Sequence, residues 1–253
     1  QKTKNPDVYY NRARIYKIKR MPKAALWDVN LALKYKPKHL PSLQLRGELN
    51  EGLEKYEDAI ADYSDILLQD EKHLESRRHR AKLYFETEKW QLAVDDYTYL
   101  LMRHKDRNLN YYLNRCECYI QLENYSAAQK DISRVINRDH KNSDAFLKRA
   151  KINIKMNKRA QAYVDLRKSI AFNPKNGEAY LVRGQMYFED EKRPEALADL
   201  NMAVKLYPVG ASYFYRGACK TVMGDREGGC EDLTKAVALQ HEEAVEYKKQ
   251  YCH

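Results

Sequence analysis

The chain has 253 residues, of which 43% are hydrophobic and 32% charged, so it can build a sizeable core and is not disordered by composition. Its 9 Gly and 7 Pro are too few for the frequent turns of an all-β protein. No apolar run approaches the roughly 18 residues of a membrane span, and the net charge of +10 leaves nucleic acid or an acidic partner to be considered.

One residue pattern recurs seven times along the chain at a period of about 34 residues. Each copy has an Arg followed directly by a small residue, then a second small residue and, sixteen positions after the Arg, an Asp. The Arg residues are Arg12, Arg46, Arg80, Arg115, Arg149, Arg183 and Arg216. The Asp residues are Asp28, Asp62, Asp96, Asp131, Asp165, Asp199 and Asp232. This regularity predicts a repeat architecture with one supersecondary unit per copy.

Within a copy, the apolar residues fall at helical spacing on two separate segments. In the sixth copy the positions i, i+4 and i+7 are Tyr180, Gly184 and Tyr187, and then Ala196, Leu200 and Ala203. Pro194 suits the first turn of the second segment, and Pro208 closes that segment. Each copy is therefore predicted to be two helices joined by a tight turn.

These copies resemble the tetratricopeptide repeat, whose order is aromatic, small, aromatic, Ala, aromatic, Ala and Pro. In the first copy these positions hold Tyr9, Ala13, Tyr16, Ala25, Val29, Ala32 and Pro37. Asn50, Asn153 and Lys220 depart from the pattern by replacing the second aromatic residue. The resemblance covers about residues 6–241 and implies an all-α fold, a right-handed α-α superhelix forming one domain over residues 1–253.

The predicted elements are seven helix-turn-helix repeats followed by one more helix. The repeats span residues 6–39, 40–73, 74–108, 109–142, 143–176, 177–209 and 210–241. Each repeat leaves one apolar face that the next repeat covers. Residues 242–252 are predicted to cap the last such face with Ala244, Tyr247 and Tyr251.

The repeated Arg and Asp residues lie close to the seam between the two helices of a repeat. One interpretation is a series of cationic binding sites, and the other is a ladder of structural ion pairs. Because a ligand site would not need to be identical in the first and last repeats, we expect structural pairs.

Apolar residues recur at positions of the first helices that point away from the second helix of the same repeat, toward the concave groove that the resemblance implies. These residues are Phe85, Leu113, Ile120, Leu147, Ile154, Leu181, Phe188 and Phe214. They form either open strips that bind a peptide or helix, or contacts that neighbouring first helices bury. For the strips as a whole we expect binding.

Charge is concentrated in bands along the sequence. Residues 1–39 contain 11 Lys and Arg against 2 Asp and Glu, residues 40–73 contain 3 against 9, and residues 143–176 contain 9 against 2. Lys148, Lys151 and Lys155 follow one another at helical spacing and are expected at the rim of the groove, where they would attract acidic flanks of a partner. The acidic second band argues against a continuous nucleic-acid track.

The five cysteines suggest a disulfide near the C-terminus. Cys116 and Cys118 are a weak metal signal without a second pair at zinc spacing. Antiparallel pairing of the last helices places Cys230 opposite Cys252, and a turn near Gly224 would place Cys219 opposite Cys230 instead. We predict the bond between Cys230 and Cys252, with Cys219 as the competitor.

The stretch around Gly224–Leu233 and the ending Tyr251-Cys252 resemble the last repeat of exported tetratricopeptide proteins of Gram-negative gut bacteria. The chain also starts at Gln1 without Met, as a mature chain does after removal of a signal peptide. Both observations favour the periplasm or the cell surface, with the cytoplasm as the alternative.

No motif of a catalytic site occurs: there is no Gly-rich phosphate loop, no H-E-x-x-H and no G-x-S-x-G. We therefore expect no enzymatic activity, cofactor or metal. The predicted function is a protein-interaction scaffold that binds a protein or peptide segment in its groove. The alternatives are a structural part of a cell-envelope assembly with an empty groove, and a binder of acidic ligands or nucleic acid through the basic bands.

Overall fold

The computed structural model describes residues 4–103 and 108–252, and all regular secondary structure in these ranges is α-helical. Gln1, on which the expectation of a removed signal peptide rests, and residues 104–107 of the third predicted repeat lie outside the described residues. Within the described ranges, no helix combines the length and the apolar character needed to cross a membrane.

The chain forms two compact units, one up to Ala128 and one from Gln129 onward. The first unit contains α1 (Pro6–Ile18), α2 (Pro22–Tyr35), α3 (Leu40–Gly52), α4 (Tyr56–Gln69), α5 (Leu74–Glu86), α6 (Trp90–Arg103), α7 (Leu109–Gln121) and the start of α8 (Tyr125–Arg138). The second contains the rest of α8, α9 (Ser143–Lys155), α10 (Arg159–Phe172), α11 (Gly177–Glu189), α12 (Arg193–Leu206), α13 (Gly210–Val222), α14 (Arg226–Ala238) and α15 (Glu242–Tyr251). The predicted helix pairs and the capping helix are confirmed.

Local sequence signals set the helix boundaries. The side chain of Asn142 accepts a hydrogen bond from the Ala145 amide at the start of α9, and Asn176 does the same for Ala179 at the start of α11. The turn within each repeat contains a residue with positive φ. These residues are Arg20, Glu54, Glu88, Glu123, Asn157, Glu191 and Gly224. A residue in the left-handed backbone conformation therefore follows the first helix of every repeat, although this residue is a glycine only in the seventh repeat.

The small residues allow the two helices of a repeat to approach closely. Ala13 and Ala25 are fully buried where α1 crosses α2. At the crossing of α13 and α14, a Cβ atom on Gly217 would lie 2.9 Å from the carbonyl oxygen of Gly229, which is too close for a side chain. The larger apolar side chains fill the space beside these crossings, as the sequence pattern predicts.

Candidate functional site

The described contacts include six of the predicted Arg–Asp pairs, each between the two helices of one repeat. In each pair, guanidinium nitrogens donate to both carboxylate oxygens over 2.6–3.0 Å. The pairs are Arg12–Asp28, Arg46–Asp62, Arg80–Asp96, Arg149–Asp165, Arg183–Asp199 and Arg216–Asp232. The carboxylates are buried, so these pairs hold the helix seam and do not form an open cationic surface.

Most of the seven repeated Arg residues also bind the preceding repeat, a contact that was not predicted from the sequence. The Nη1 atom donates to a polar side chain two residues after the preceding Asp, over 2.8–3.3 Å. These contacts are Arg46–Asn30, Arg80–Ser64, Arg115–Thr98, Arg149–Ser133 and Arg216–Asn201. In the fifth repeat this position holds Arg167, and the side chain of Arg183 has no such acceptor in the described chain. A hydroxyl or amide residue two positions after the repeated Asp was the sequence feature that could have predicted these contacts.

The three departures from the repeat pattern add polar contacts to the seam. Asn153 Nδ2 donates to Asp165 over 3.0 Å, and Lys220 Nζ lies 2.9 Å from Asp232. Where Asn replaces the aromatic ring, space opens beside it: cavities of about 300 Å³ and about 400 Å³ adjoin Asn50 and Asn153. Arg46 and Asn50 bind Asp62 beside the first cavity, and Arg149 and Asn153 bind Asp165 beside the second.

The pKa values of the buried carboxylates of Asp62 and Asp232 are shifted in opposite directions. Burial raises the pKa of Asp62 above its ordinary value, and the hydrogen bonds from Arg46 and Asn50 do not offset this. Burial also works to raise the pKa of Asp232, but the hydrogen bonds from Arg216 and Lys220 outweigh it, and the net pKa is below its ordinary value.

The predicted open strips are wrong for three residues, because neighbouring helices bury them. Leu147 is 5% exposed, Leu181 8% and Phe214 6%. Leu147 packs in a cluster with Met186 of α11, and the ring of Phe214 stacks on His241 at 4.5 Å. These side chains belong to the core between successive first helices and the cap, so they do not form an open wall.

The other predicted groove residues are also partly covered. Phe85, Leu113, Ile120, Ile154 and Phe188 are half-buried, and none is exposed. Phe85, for example, packs edge-on against Trp90 at 5.5 Å.

The predicted lysine stripe is only partly available at the surface. Lys151 forms an ion pair with Glu178 over 2.6 Å, and Lys148 is half-buried. Lys155 is exposed, as expected for the rim. The stripe therefore does not form a row of open cations.

A polar pocket of about 330 Å³ lies instead between α3, α5 and α7 in the first unit. We call it the groove pocket. It is lined by Glu51, Arg78, His79, Lys82, Tyr97, Asn108, Asn110, Tyr111 and Asn114. Tyr97 is buried at its base, where its hydroxyl oxygen accepts a hydrogen bond from Asn114 Nδ2 over 3.0 Å. Burial raises the pKa of Tyr97 to about 12, so this hydroxyl stays protonated at neutral pH.

Glu51 organises one wall of the groove pocket. Its two oxygens lie 2.7 Å from His79 Nδ1 and 2.9 Å from Lys82 Nζ, and the Tyr63 ring stacks on His79 at 5.1 Å. Burial alone would raise the pKa of Glu51, but Lys82 and His79 outweigh it and hold the pKa below its ordinary value. Glu51 is therefore ionised at neutral pH and fixes the two cationic or polar side chains in place.

The opposite wall is rich in side-chain amides from the start of α7. Asn108 caps this helix by accepting a hydrogen bond from the Asn110 amide over 2.9 Å, and Asn114 lies one turn further along. Each amide side chain offers donors and an acceptor, which match the alternating donors and acceptors of a peptide backbone.

The groove pocket uses the positions that sequence reasoning assigned to the groove, but in repeats where they are polar. Arg78 occupies the repeat position of Leu113 and Leu147, and Glu51 occupies that of Phe85. Selecting apolar residues at these positions therefore missed the pocket, while polar and charged residues at the same positions in the second and third repeats would have indicated it.

The structure contains the disulfide bond between Cys230 and Cys252, whose Cα atoms lie 5.7 Å apart. It joins the start of α14 to the residue after α15, where Arg226 Nε also donates to the Tyr251 carbonyl over 2.8 Å. The competitor Cys219 is buried and outside the bond. Cys118 is buried as well, and burial raises the pKa of its thiol to about 12, so it is a core residue.

Solved structures of tetratricopeptide-repeat proteins are similar to this chain. A tetratricopeptide repeat protein from Parabacteroides merdae is 22% identical with a TM-score of 0.61, covering 98% of this chain and 99% of its own. The C-terminal part of a repeat-containing protein from Cytophaga hutchinsonii is 14% identical with a TM-score of 0.72, covering 94% and 98%.

A third similar structure is YrrB, described as a TPR protein with an unusual peptide-binding site. It is 16% identical with a TM-score of 0.61, covering 70% of this chain and 90% of its own. No protein-family model and no curated protein matches the sequence. At these identities the likeness establishes the fold: an α-α solenoid of tetratricopeptide repeats.

Proposed function

We propose that this tetratricopeptide-repeat chain is a non-catalytic scaffold that holds a polar peptide segment in the groove pocket. One observation carries the proposal: the third and fourth repeats contribute cationic and amide side chains to one pocket, and the second repeat contributes Glu51. Asn108, Asn110 and Asn114 supply pairing groups for a peptide backbone, and Arg78 and Lys82 supply positive charge for an acidic side chain. The peptide-binding site named for YrrB supports the same use of this fold.

The test compares peptide selection by the parent chain and two groove variants. A displayed library of random octapeptides is panned against each protein, and enriched peptides are titrated by fluorescence anisotropy. Lys82→Glu should reverse the preference for acidic peptides, and Asn114→Ala should weaken binding about tenfold by removing an amide contact. Equal peptide affinity in parent and both variants would refute binding in the groove pocket.

Matched controls come from the chain itself. Lys155→Glu makes the same charge change at an exposed position of α9, and Asn11→Ala makes the same truncation at the equivalent position of α1. Both should leave peptide affinity unchanged. Because Asn114 also bonds Tyr97, melting temperatures are compared first, so that lost binding is not confused with lost folding.

The same experiment addresses the alternatives. In the structural alternative, the chain is part of a cell-envelope assembly and its groove is empty. The chain would then enrich no peptide, and a variant with Lys82 changed would still join that assembly. Binding of nucleic acid along a continuous basic track is less well supported, because residues 40–73, with 3 Lys and Arg against 9 Asp and Glu, separate the two basic bands.

We also propose that the chain works in an oxidising compartment, the periplasm or the cell surface. The bond between Cys230 and Cys252 supports this, since such bonds persist where thiols are not kept reduced. Thiol counting on protein isolated under non-reducing conditions should give three thiols, those of Cys116, Cys118 and Cys219. Five thiols would favour the cytoplasmic alternative.

A further inference from the structure

The first helix of each later repeat buries two positions against the second helix of the repeat before it. One position is four residues before the repeated Arg, and the other is three residues after it. In α3, α5, α7, α11 and α13 every occupant is buried: Ser42 and Leu49, Ser76 and Leu83, Tyr111 and Cys118, Ala179 and Met186, Ser212 and Cys219. These positions form the inter-repeat contact face.

In α1 the same two positions are apolar but open. Val8 is 46% exposed and Ile15 is 52% exposed, whereas the equivalent residues of the later repeats are buried. Asn11 and Ile18 complete one stripe at helical spacing, and both are exposed. We call this stripe the α1 face. It has the character of an inter-repeat contact, and no helix among residues 4–103 and 108–252 buries it.

Within the described chain, the repeated Arg of α1, Arg12, also lacks the inter-repeat contact that most of its equivalents make. Arg12 keeps both bonds to Asp28, but among the described residues it has no acceptor of the kind that the preceding repeat gives Arg46 and Arg80. Its side chain is 53% exposed, against 30% and 17% for those two. A helix on the α1 face would therefore gain apolar contacts and a hydrogen bond from Arg12.

We propose that the α1 face binds an acidic amphipathic helix of a partner protein, placed as a second helix is placed on each later repeat. The pair α4 and α5 defines the chemistry: Tyr63 and Ile66 of α4 pack in one cluster with Leu83, and Ser64 accepts from Arg80. The partner helix therefore has apolar residues at i and i+3 and a hydroxyl or amide residue at i+1.

Charge identifies the partner as acidic and argues against a second copy. Residues 1–39 contain 11 Lys and Arg against 2 Asp and Glu. Arg14 and Lys19, both exposed, lie beside Ile18 and Ile15 at the edge of the α1 face. Two such faces would repel each other, whereas acidic flanks on a partner helix would be attracted.

The chain supplies its own probe. A peptide of residues 54–70, stapled between the exposed positions 65 and 69 to keep it helical, presents Tyr63, Ser64 and Ile66 with acidic flanks. Fluorescence anisotropy should show saturable binding of this peptide to the full chain, weaker at high salt. Val8→Asp combined with Ile15→Asp should weaken binding at least about tenfold, and Ser64→Ala in the peptide should weaken it less.

Two controls distinguish specific binding at the α1 face from nonspecific binding to charged or apolar surface. Leu68→Asp combined with Met102→Asp in the full chain introduces the same two charges at other exposed apolar residues and should not change the affinity. A stapled peptide of α10 has the same place in its repeat but is basic and has Arg167 where α4 has Ser64, so it should not bind. The aspartate variants lie on exposed positions, and unchanged circular dichroism verifies their fold.

Three results would overturn the proposal. Binding of the α4 peptide that survives both aspartate changes would place it elsewhere on the chain. Equal binding of the α10 peptide would show that neither the acidic flanks nor the hydroxyl group determines binding to the α1 face. A dimer in analytical ultracentrifugation that the aspartate changes dissociate would assign the α1 face to a second copy. Because this face is separate from the groove pocket, none of these results affects peptide binding there.

Discussion

The ion pair between Arg149 and Asp165 offers a direct test of what holds a repeat together. Asp165 is 2% exposed and accepts two bonds from Arg149, over 2.9 Å and 2.6 Å, and one from Asn153 over 3.0 Å. Changing Arg149 to Ala leaves this carboxylate buried with a single donor. Changing Asp165 to Ala leaves the guanidinium, which reaches solvent and still bonds Ser133.

These differences set the expected magnitudes. Breaking a fully buried pair costs about 3–5 kcal/mol, and a lost charge-assisted bond costs about 1.5–3 kcal/mol. We therefore expect Arg149→Ala to lower the free energy of unfolding by about 3 kcal/mol, because Asp165 keeps only one partner. Asp165→Ala should cost about 2 kcal/mol, because Arg149 can be hydrated. The double variant should cost about 3 kcal/mol rather than the sum, a coupling of about 2 kcal/mol.

The assay is urea denaturation of the parent, both single variants and the double variant, followed by circular dichroism at 222 nm. Ser133→Ala serves as the control for the weaker inter-repeat bond and should cost less than either single variant. Additive single effects, or single effects below about 0.5 kcal/mol, would show that the pair behaves as a solvated surface contact and would refute this account of the seam.

Three further outcomes follow from the seam and the cap. Lys220→Met should raise the pKa of Asp232 in an NMR titration, because burial then acts with one cationic donor fewer. The low pKa stabilises the fold fully above about pH 4 and is lost as the pH falls through the folded-state value, so parent and variant should converge in unfolding free energy in acid. Gly217→Ala should cost about 2 kcal/mol in a urea melt because the new Cβ meets backbone, whereas Gly52→Ala, with no atom within 4 Å, should not destabilise. Reducing the C-terminal disulfide, which spans 22 residues, should lower stability by about 3 kcal/mol and speed hydrogen exchange in α15 first.

The helix pairs could be predicted from sequence because the determinants are local and repeated. A small residue is needed wherever two helices cross, and seven copies of Ala, Gly or Cys at these points leave little freedom in the alignment. The spacing of sixteen residues between Arg46 and Asp62 likewise brings them to the same level of adjacent antiparallel helices. Their ion pair was therefore predictable, as was the opposition of Cys230 and Cys252.

The groove could not be predicted in the same way, because its exposure depends on the distance between successive first helices. A position that points away from its own second helix can still be covered by the next repeat, as Leu147 is by α11. Leu181 and Phe214 are buried for the same reason. Sequence spacing fixes the direction of a side chain but not the separation of neighbouring repeats. The groove pocket was overlooked for a second reason: only apolar residues were selected at the groove positions, whereas the pocket is lined by polar ones.

The missing acceptor for Arg183 has a mechanical consequence. At other repeat junctions, an Arg in mid-helix fastens the first helix to the second helix of the preceding repeat. Between α10 and α11 the polar contacts lie at the two ends instead: Arg159 reaches Glu189 over 2.9 Å at one end, and Asn176 Nδ2 donates to Ser169 over 3.4 Å at the other. The middle of this junction is therefore held by apolar packing without the Arg contact, so a packing defect introduced there would have no central polar bond to offset it.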